Sequence, residues 1–187
     1  MKLIRWGEAG AEQAGLMDDS GTLRDLSGTV ADWSWQTLTS ETLAQVAALD
    51  PNTLPALPAD TRLGAPVSRP GKIVGCALTY GKHAAEAGLE PPEEPMFILT
   101  AASAINGPND QVMMPKGGTQ LDWEAELAVV FCKAGANIPL ENSMSHVAGF
   151  CFDAFLYSFL RTPDGIPFTS IWGFDPISHL IFNSSLG

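Results

Sequence analysis

The sequence predicts a β-rich, mixed α/β fold. Short apolar runs of strand length recur along the chain, and turn signals containing Gly, Pro, Asn and Asp separate them. Only two segments have the composition and apolar spacing of helices. No internal repeat and no low-complexity tract is present. We therefore expect short strands joined by tight turns, with two short helices among them.

The first 49 residues predict a small β-meander followed by a helix. Strands are expected at 2–6, 15–17 and 22–26, with a polar turn at 7–14 and a tight turn at 18–21. A helix is expected at 39–49, because Leu43 and Val46 share one face and Ser40 is a suitable N-cap.

A proline-rich stretch then divides the chain. Residues 50–70 contain five prolines, which remove backbone donors and favour extended geometry. We predict a linker with a boundary near residue 68. The expected domains are 1–68, a small meander and helix, and 69–187, which holds the remaining elements.

The second part alternates strands with one more helix. Strands are predicted at 72–78, 96–99 and 124–131, the last buried on both faces because it is rich in Val and Leu. A helix is predicted at 80–87 with Gly88 at its C-terminal cap, a turn at 107–110 and extended structure at 112–114. After Gly149 the pattern is aromatic-rich and gives no clear elements.

Composition narrows the possible partners and the compartment. The formal net charge is −11, from 21 acidic and 10 basic residues, which predicts neither a nucleic-acid partner nor an anionic membrane surface. The first residues lack the apolar core of a signal peptide, and no run reaches the ~18 apolar residues of a membrane span. The three cysteines are isolated and are expected to be reduced and buried. We expect a cytoplasmic protein.

Glu124 and Glu126 are the first candidate site residues. At positions i and i+2 of a strand, they are expected on the same face. Two adjacent carboxylates repel, so a buried pair needs a cation, and oxygen ligands favour magnesium, manganese or calcium. The alternative is an exposed acidic edge strand, which is common.

His83 and Glu86 form the second candidate pair. At i and i+3 of the predicted helix, their side chains can reach each other. A carboxylate there would fix the imidazole tautomer and favour a general base that activates water. A surface pair on a helix, without function, is the alternative.

Five segments carry a family resemblance: TYGKHAAEAG (79–88), PEEP (92–95), SAINGP (103–108), DWEAEL (122–127) and HVAGF (146–150). In this order and spacing they resemble the catalytic domain of the fumarylacetoacetate hydrolase superfamily. Residues 21–27 resemble the N-terminal domain of its ureidoglycolate lyase or 2-hydroxyhepta-2,4-diene-1,7-dioate isomerase members. The resemblance implies a mixed β-roll, a divalent metal site, a homodimer and chemistry on the carbon–carbon bonds of diketo acids.

The resemblance also implies roles for single residues. Glu124 and Glu126 match the two metal-binding glutamates, and His83 with Glu86 matches the general-base pair. The metal, Mg²⁺ by preference and Mn²⁺ or Ca²⁺ otherwise, would chelate an oxo-acid substrate while His83 activates water. The implied activity is a hydrolase or lyase of acylpyruvate-like substrates. A ureidoglycolate lyase, or an oxo-acid isomerase or decarboxylase of the same superfamily, is the alternative.

The sequence departs from the family at several positions. Thr79, Lys82 and Thr100 replace the residues common there. Direct register places Phe155 where the family has its third metal ligand, and Asp153, two residues earlier, is the candidate replacement. The chain is expected to be truncated or divergent after about residue 150, so a catalytically inactive remnant or an interaction domain is the alternative function.

Overall fold

The computed structural model describes residues 1–114, 118, 121–161, 167–176 and 180–182. For strand residues 121, 122, 124 and those from 153 onward, it describes the backbone alone. The fold is mixed α/β, with antiparallel sheets and few helices.

The described elements are ten strands, two α-helices and three short 3₁₀ segments. The strands are β1 Lys2–Trp6, β2 Gln13–Met17, β3 Leu23–Asp25, β4 Leu63–Gly64, β5 Ile73–Ala77, β6 Met96–Thr100, β7 Leu121–Phe131, β8 Val147–Arg161, β9 Pro167–Pro176 and β10 Leu180–Phe182. The helices are α1 Ser40–Ala47 and α2 Gly81–Glu86, and the 3₁₀ segments are Pro51–Thr53, Ala102–Ala104 and Leu140–His146.

One large sheet carries most of the described strands in the order β3-β2-β1-β10-β8-β7, with β4 on β1 and β9 on β8. Strands β5 and β6 form a separate hairpin. Because β1 pairs with β10, at Lys2 opposite Ile181, strands from both predicted domains share one sheet. The division at residue 68 stays a prediction.

The core lies between the meander and helix α1. Trp33 is fully buried, and its indole N–H donates to the Gly15 carbonyl oxygen over 3.0 Å. Leu43 and Val46 project from one face of α1 into the same cluster. Each such aliphatic side chain contributes about 1.5–3 kcal/mol when fully buried. This packing, more than local propensity, stabilises so short a helix.

The local predictions hold for most elements and fail at three points. The N-cap of α1 is Thr39, whose hydroxyl accepts the Thr42 N–H, so the assignment to Ser40 is wrong. Residues 112–114 form no described strand. Strand β7 is not buried on both faces, because Trp123 and Phe131 are 67% and 66% exposed.

The exposure of β7 follows from its place in the sheet. Within the described residues, β7 pairs with β8 alone and forms the end of the sheet order. An apolar sequence indicates that a strand favours burial, but the elements packed around the strand determine how much of its surface is exposed.

Two further expectations concern the cysteines and membrane spans. Cys151 is buried, Cys76 and Cys132 are half-buried, and all three are free thiols. Burial raises the pKa of the Cys132 thiol, which favours the protonated, unreactive form. In the described part of the chain, no helix is long and apolar enough to cross a membrane.

Candidate metal and general-base site

The two candidate glutamates lie on strand β7. Glu124 and Glu126 hold alternate positions of this strand, as the predicted shared face requires. Glu126 is half-buried. The side chain of Glu124 lies outside the described part of the structure, so the face-sharing of the two carboxylates stays a prediction.

The register of β7 and β8 places the third candidate. Asp153 on β8 is directly opposite Glu126, and Phe155 is directly opposite Glu124. Directly opposite residues of an antiparallel pair have Cα atoms about 4.5–5.5 Å apart. The backbone pairing therefore places the Cα atoms of Glu126 and Asp153 opposite each other, while the role of Asp153 as a metal ligand stays a prediction. The Asp153 side chain itself is outside the described residues.

The fully described side chains do not form a metal site by themselves. Among those side chains, no group of three His, Cys, Asp or Glu residues could hold a metal ion. The candidate set includes Glu124 and Asp153, whose side chains lie outside the described part of the structure. Carboxylate oxygens are the donors that Mg²⁺, Mn²⁺ and Ca²⁺ prefer.

The candidate general-base pair lies on the short helix α2. His83 and Glu86 are both on this helix, and both side chains are exposed. Neither side chain makes a hydrogen bond or ion pair with a residue in the described ranges, and none joins the two to each other. The helical spacing is therefore as expected, while the contact between the two side chains is not formed.

Helix α2 and strand β7 meet at a residue that the sequence did not single out. Tyr80 is the N-cap residue of α2, and its phenolic oxygen accepts the backbone N–H of Leu127 over 2.9 Å. Leu127 follows Glu126 directly on β7. The hydrogen bond spans 47 residues of sequence, so no local pattern could have revealed it.

A buried hydroxyl at the end of β6 has no hydrogen-bond partner among the described residues. It is the side-chain hydroxyl of Thr100. The burial of an unpaired hydroxyl costs about 1–3 kcal/mol. Thr100 is also one of the positions at which the sequence was expected to depart from the resembled family.

A cavity of about 620 Å³ lies elsewhere, between the meander and the loop around 102–110. Its polar wall is an ion network centred on Arg5 and Arg62, and Glu12 contacts both guanidinium groups. Asp32 pairs with Arg5 and Asp110 pairs with Arg62. None of the five predicted site residues lines this cavity. The guanidinium groups of Arg5 and Arg62 are thus paired with carboxylates, and a third arginine, Arg69, also lines the cavity.

Comparisons with known proteins support the family resemblance expected from the sequence. Residues 72–153 match the family model described as the C-terminal domain of fumarylacetoacetate (FAA) hydrolase. A predicted hydrolase of Burkholderia ambifaria is 42% identical over 151 residues, which are 81% of this chain and 54% of that protein. The chain thus spans about half the length of the relatives it matches.

Two solved structures show the same fold. Maleylpyruvate hydrolase from Sphingobium sp. SYK-6, in complex with manganese(II) and pyruvate, is 20% identical with a TM-score of 0.73; the match covers 97% of this chain and 67% of that one. For 5-carboxymethyl-2-hydroxymuconate delta-isomerase from Mycobacterium smegmatis the identity is 21% and the TM-score 0.59, over 84% and 55% of the two chains. At these identities the likeness concerns the fold.

Proposed function

We propose that this chain is a metal-dependent hydrolase of acylpyruvate-like diketo acids in the fumarylacetoacetate hydrolase superfamily, which the match of residues 72–153 and the Burkholderia relatives support. The coarser activity, that of a hydrolase or isomerase of oxo acids, fits the relatives in both comparisons. The finer assignment depends on the residues of β7, β8 and α2.

The observation that carries the proposal is the register of β7 against β8. It places Glu126 opposite Asp153 and leaves Glu124 two positions along the same strand. A cation bound between acidic residues that are so close in the backbone would offset the repulsion among their charges. Their oxygen donors suit a hard divalent ion, Mg²⁺ by preference, with Mn²⁺ or Ca²⁺ as alternatives. The manganese(II) ion in the Sphingobium enzyme supports a divalent metal at this site.

The chemistry of the reaction assigns a task to each residue. In this proposal Glu124, Glu126 and Asp153 hold the ion, which would polarise the oxo-carboxylate of the substrate. His83 takes a proton from water, and the water oxygen forms a bond to the carbonyl carbon farther from the carboxylate. The carbon–carbon bond then breaks, the acyl part leaves as a carboxylic acid, and the electron pair of the broken bond passes to the pyruvate enolate. The proton held by His83 would return to the enolate carbon to give pyruvate. Glu86 would orient the imidazole of His83.

Helix α2 must adjust for this chemistry. In the structure His83 and Glu86 are exposed and not joined by a hydrogen bond. Catalytic hydrogen bonds are often loose without substrate and tighten when it binds. A rotation of either side chain about its own torsions brings residues three apart on a helix into contact. We infer that substrate binding selects that arrangement.

An interaction domain without activity is the second candidate. Phe97, Leu99 and Phe131 are among the large apolar side chains exposed on β6 and β7, and apolar surface of this kind is typical of protein–protein contacts. A homodimer, the assembly that the resemblance implies, would cover such a surface. A cytoplasmic location is part of the same proposal.

The direct test is the cleavage of acetylpyruvate by the purified chain with Mn²⁺ or Mg²⁺. The loss of the enol absorbance of acetylpyruvate measures the rate. We expect cleavage that stops with a chelator and falls at least ~100-fold in Glu124→Ala, since a lost metal ligand removes electrostatic stabilisation of the enolate. Glu8→Ala removes an exposed glutamate far along the sequence and serves as the matched control.

Equal rates in wild type and Glu124→Ala would contradict the metal-ligand role. A folded wild-type chain without cleavage would favour the interaction domain instead. Size-exclusion chromatography with light scattering then tests whether two copies associate.

A further inference from the structure

The contact between Tyr80 and Leu127 links the two halves of the proposed site. Tyr80 caps α2, which carries His83 and Glu86, and Leu127 lies next to Glu126 on β7. The phenolic oxygen accepts the Leu127 N–H over 2.9 Å.

Helix α2 has few other anchors. It is six residues long, and Ala84 is its one buried residue. An isolated helix of this length is unstable in water, because nucleation costs more than a few intrahelical bonds return. Its place in the fold must therefore come from tertiary contacts. Ala84 supplies a small apolar contact and Tyr80 supplies a directional one.

The turn that leads into α2 is held in an uncommon conformation. Leu78, between β5 and Tyr80, has φ +57°, in the left-handed region that costs a residue with a Cβ roughly 1 kcal/mol or more. Such a conformation persists when its surroundings hold it in place. The hydrogen bond from Leu127 to Tyr80 is positioned to do so, since it fixes the chain two residues beyond Leu78.

The edge of the sheet also benefits from this contact. Strand β7 pairs with β8 on one side within the described ranges, so the Leu127 N–H on its other side needs an acceptor other than a strand. Unpaired strand edges are open to water and to other chains. Tyr80 occupies that edge at the residue next to Glu126.

We propose that Tyr80 is a positioning residue that holds α2 against β7 and so sets the distance between the general base His83 and the carboxylates of Glu124 and Glu126. The catalytic part of this inference rests on the proposed function; the role of the hydrogen bond in the position of α2 does not. Tyr80 acts through its neighbours and takes no part in the bond changes.

The test removes the hydroxyl alone. Tyr80→Phe keeps the ring and deletes the acceptor, and Thr79→Val deletes a hydroxyl of the same turn that donates to the local Cys76 carbonyl oxygen over 3.3 Å. Backbone amide exchange is followed by NMR in the full chain. We expect Leu127 to exchange at least ~10-fold faster in Tyr80→Phe than in wild type. Ala84 and Ala87, whose N–H groups donate within α2, should exchange faster as well.

The same variants are compared in acetylpyruvate cleavage. A positioning role predicts that Tyr80→Phe lowers kcat about 10-fold while KM changes less than ~2-fold, because a misplaced base affects the chemical step and not the bound substrate. Thr79→Val should leave both constants and the Leu127 exchange near wild type.

Unchanged Leu127 and α2 exchange in Tyr80→Phe would overturn the inference, whether or not the chain is active. Faster exchange with an unchanged kcat would overturn the positioning role while the proposed function stands. A wild-type chain without activity would count against the proposed function, and the exchange data would still decide whether Tyr80 holds α2.

Discussion

Arg62 and Asp110 form a two-point ion pair across 48 residues of sequence. The Arg62 Nε–H donates to one carboxylate oxygen of Asp110 over 2.8 Å, and a terminal N–H of the same guanidinium donates to the other. Arg62 also donates to Glu12 and to the Gly7 carbonyl oxygen. The loop that ends at Asp110 is thereby fastened to the N-terminal meander.

Asp110→Asn should weaken this attachment. The substitution removes the negative charge but keeps the size of the side chain, and we expect a loss of about 1–2 kcal/mol in the free energy of unfolding. Asp60→Asn changes an exposed aspartate nearby and should cost less than about 0.5 kcal/mol. Urea unfolding followed by circular dichroism measures both. Equal effects of the two substitutions would contradict the role of the ion pair.

Asp18 should make stability depend on pH. Hydrogen bonds from the Ser20 hydroxyl first, and then from Arg24 and backbone amides, lower the pKa of Asp18 to about 2. In the unfolded chain the value is about 3.9. The folded state thus favours the ionised form, so this stability is present above about pH 4 and is lost as the pH falls toward 2.

The comparison of wild type with Asp18→Asn isolates that effect. The difference in unfolding free energy should be constant between about pH 5 and 7 and shrink below about pH 4. Urea titrations across this range measure it. A difference that stays constant down to about pH 3 would show that Asp18 is not the group responsible.

Thr39→Ala should destabilise helix α1. The Thr39 hydroxyl accepts the Thr42 N–H over 3.2 Å, and loss of such an N-cap costs about 1 kcal/mol. Ser40→Ala is the matched control, because Ser40 is already inside the helix and alanine favours helices. A larger loss for Ser40→Ala than for Thr39→Ala would mean that the helix begins one residue later.

Thr100→Val should not destabilise the chain. The Thr100 hydroxyl is buried without a hydrogen-bond partner among the described residues, and valine has nearly the same shape without the polar atom. We expect a gain of about 1 kcal/mol. Thr53→Val, which removes an exposed hydroxyl that bonds to the Asp50 carbonyl oxygen, should bring no gain. A clear loss of stability in Thr100→Val would show that the hydroxyl has a partner.

Local structure could be predicted from the sequence because its signals are local. Strands β1 and β6, and helix α2 with Gly88 after it, lie where apolar runs and turn residues indicated. The exposure of β7 could not be predicted, since the same Val- and Leu-rich run suits a central or an edge strand. The contact from Tyr80 to Leu127 joins distant segments, so it becomes visible only when the strands are assembled.

For the candidate site, too, the spacing of residues along one element could be predicted from the sequence, but the contacts between elements could not. Alternate positions for Glu124 and Glu126 follow from the period of a strand, and the spacing of His83 and Glu86 follows from that of a helix. The sequence could not say that Asp153 stands opposite Glu126, because the register of β7 and β8 depends on the pairing of whole strands. Nor could it say that the side chains of His83 and Glu86 remain apart.

The most direct test of the central claim is a calorimetric titration of Mn²⁺ into the purified wild-type chain and into Glu124→Ala and Asp153→Ala. We expect saturable binding at one site in the wild type and its loss or strong weakening in both variants, since each removes one of three anionic ligands. A folded wild-type chain that binds no Mn²⁺, or variants that bind it as tightly as the wild type, would overturn the proposed metal site.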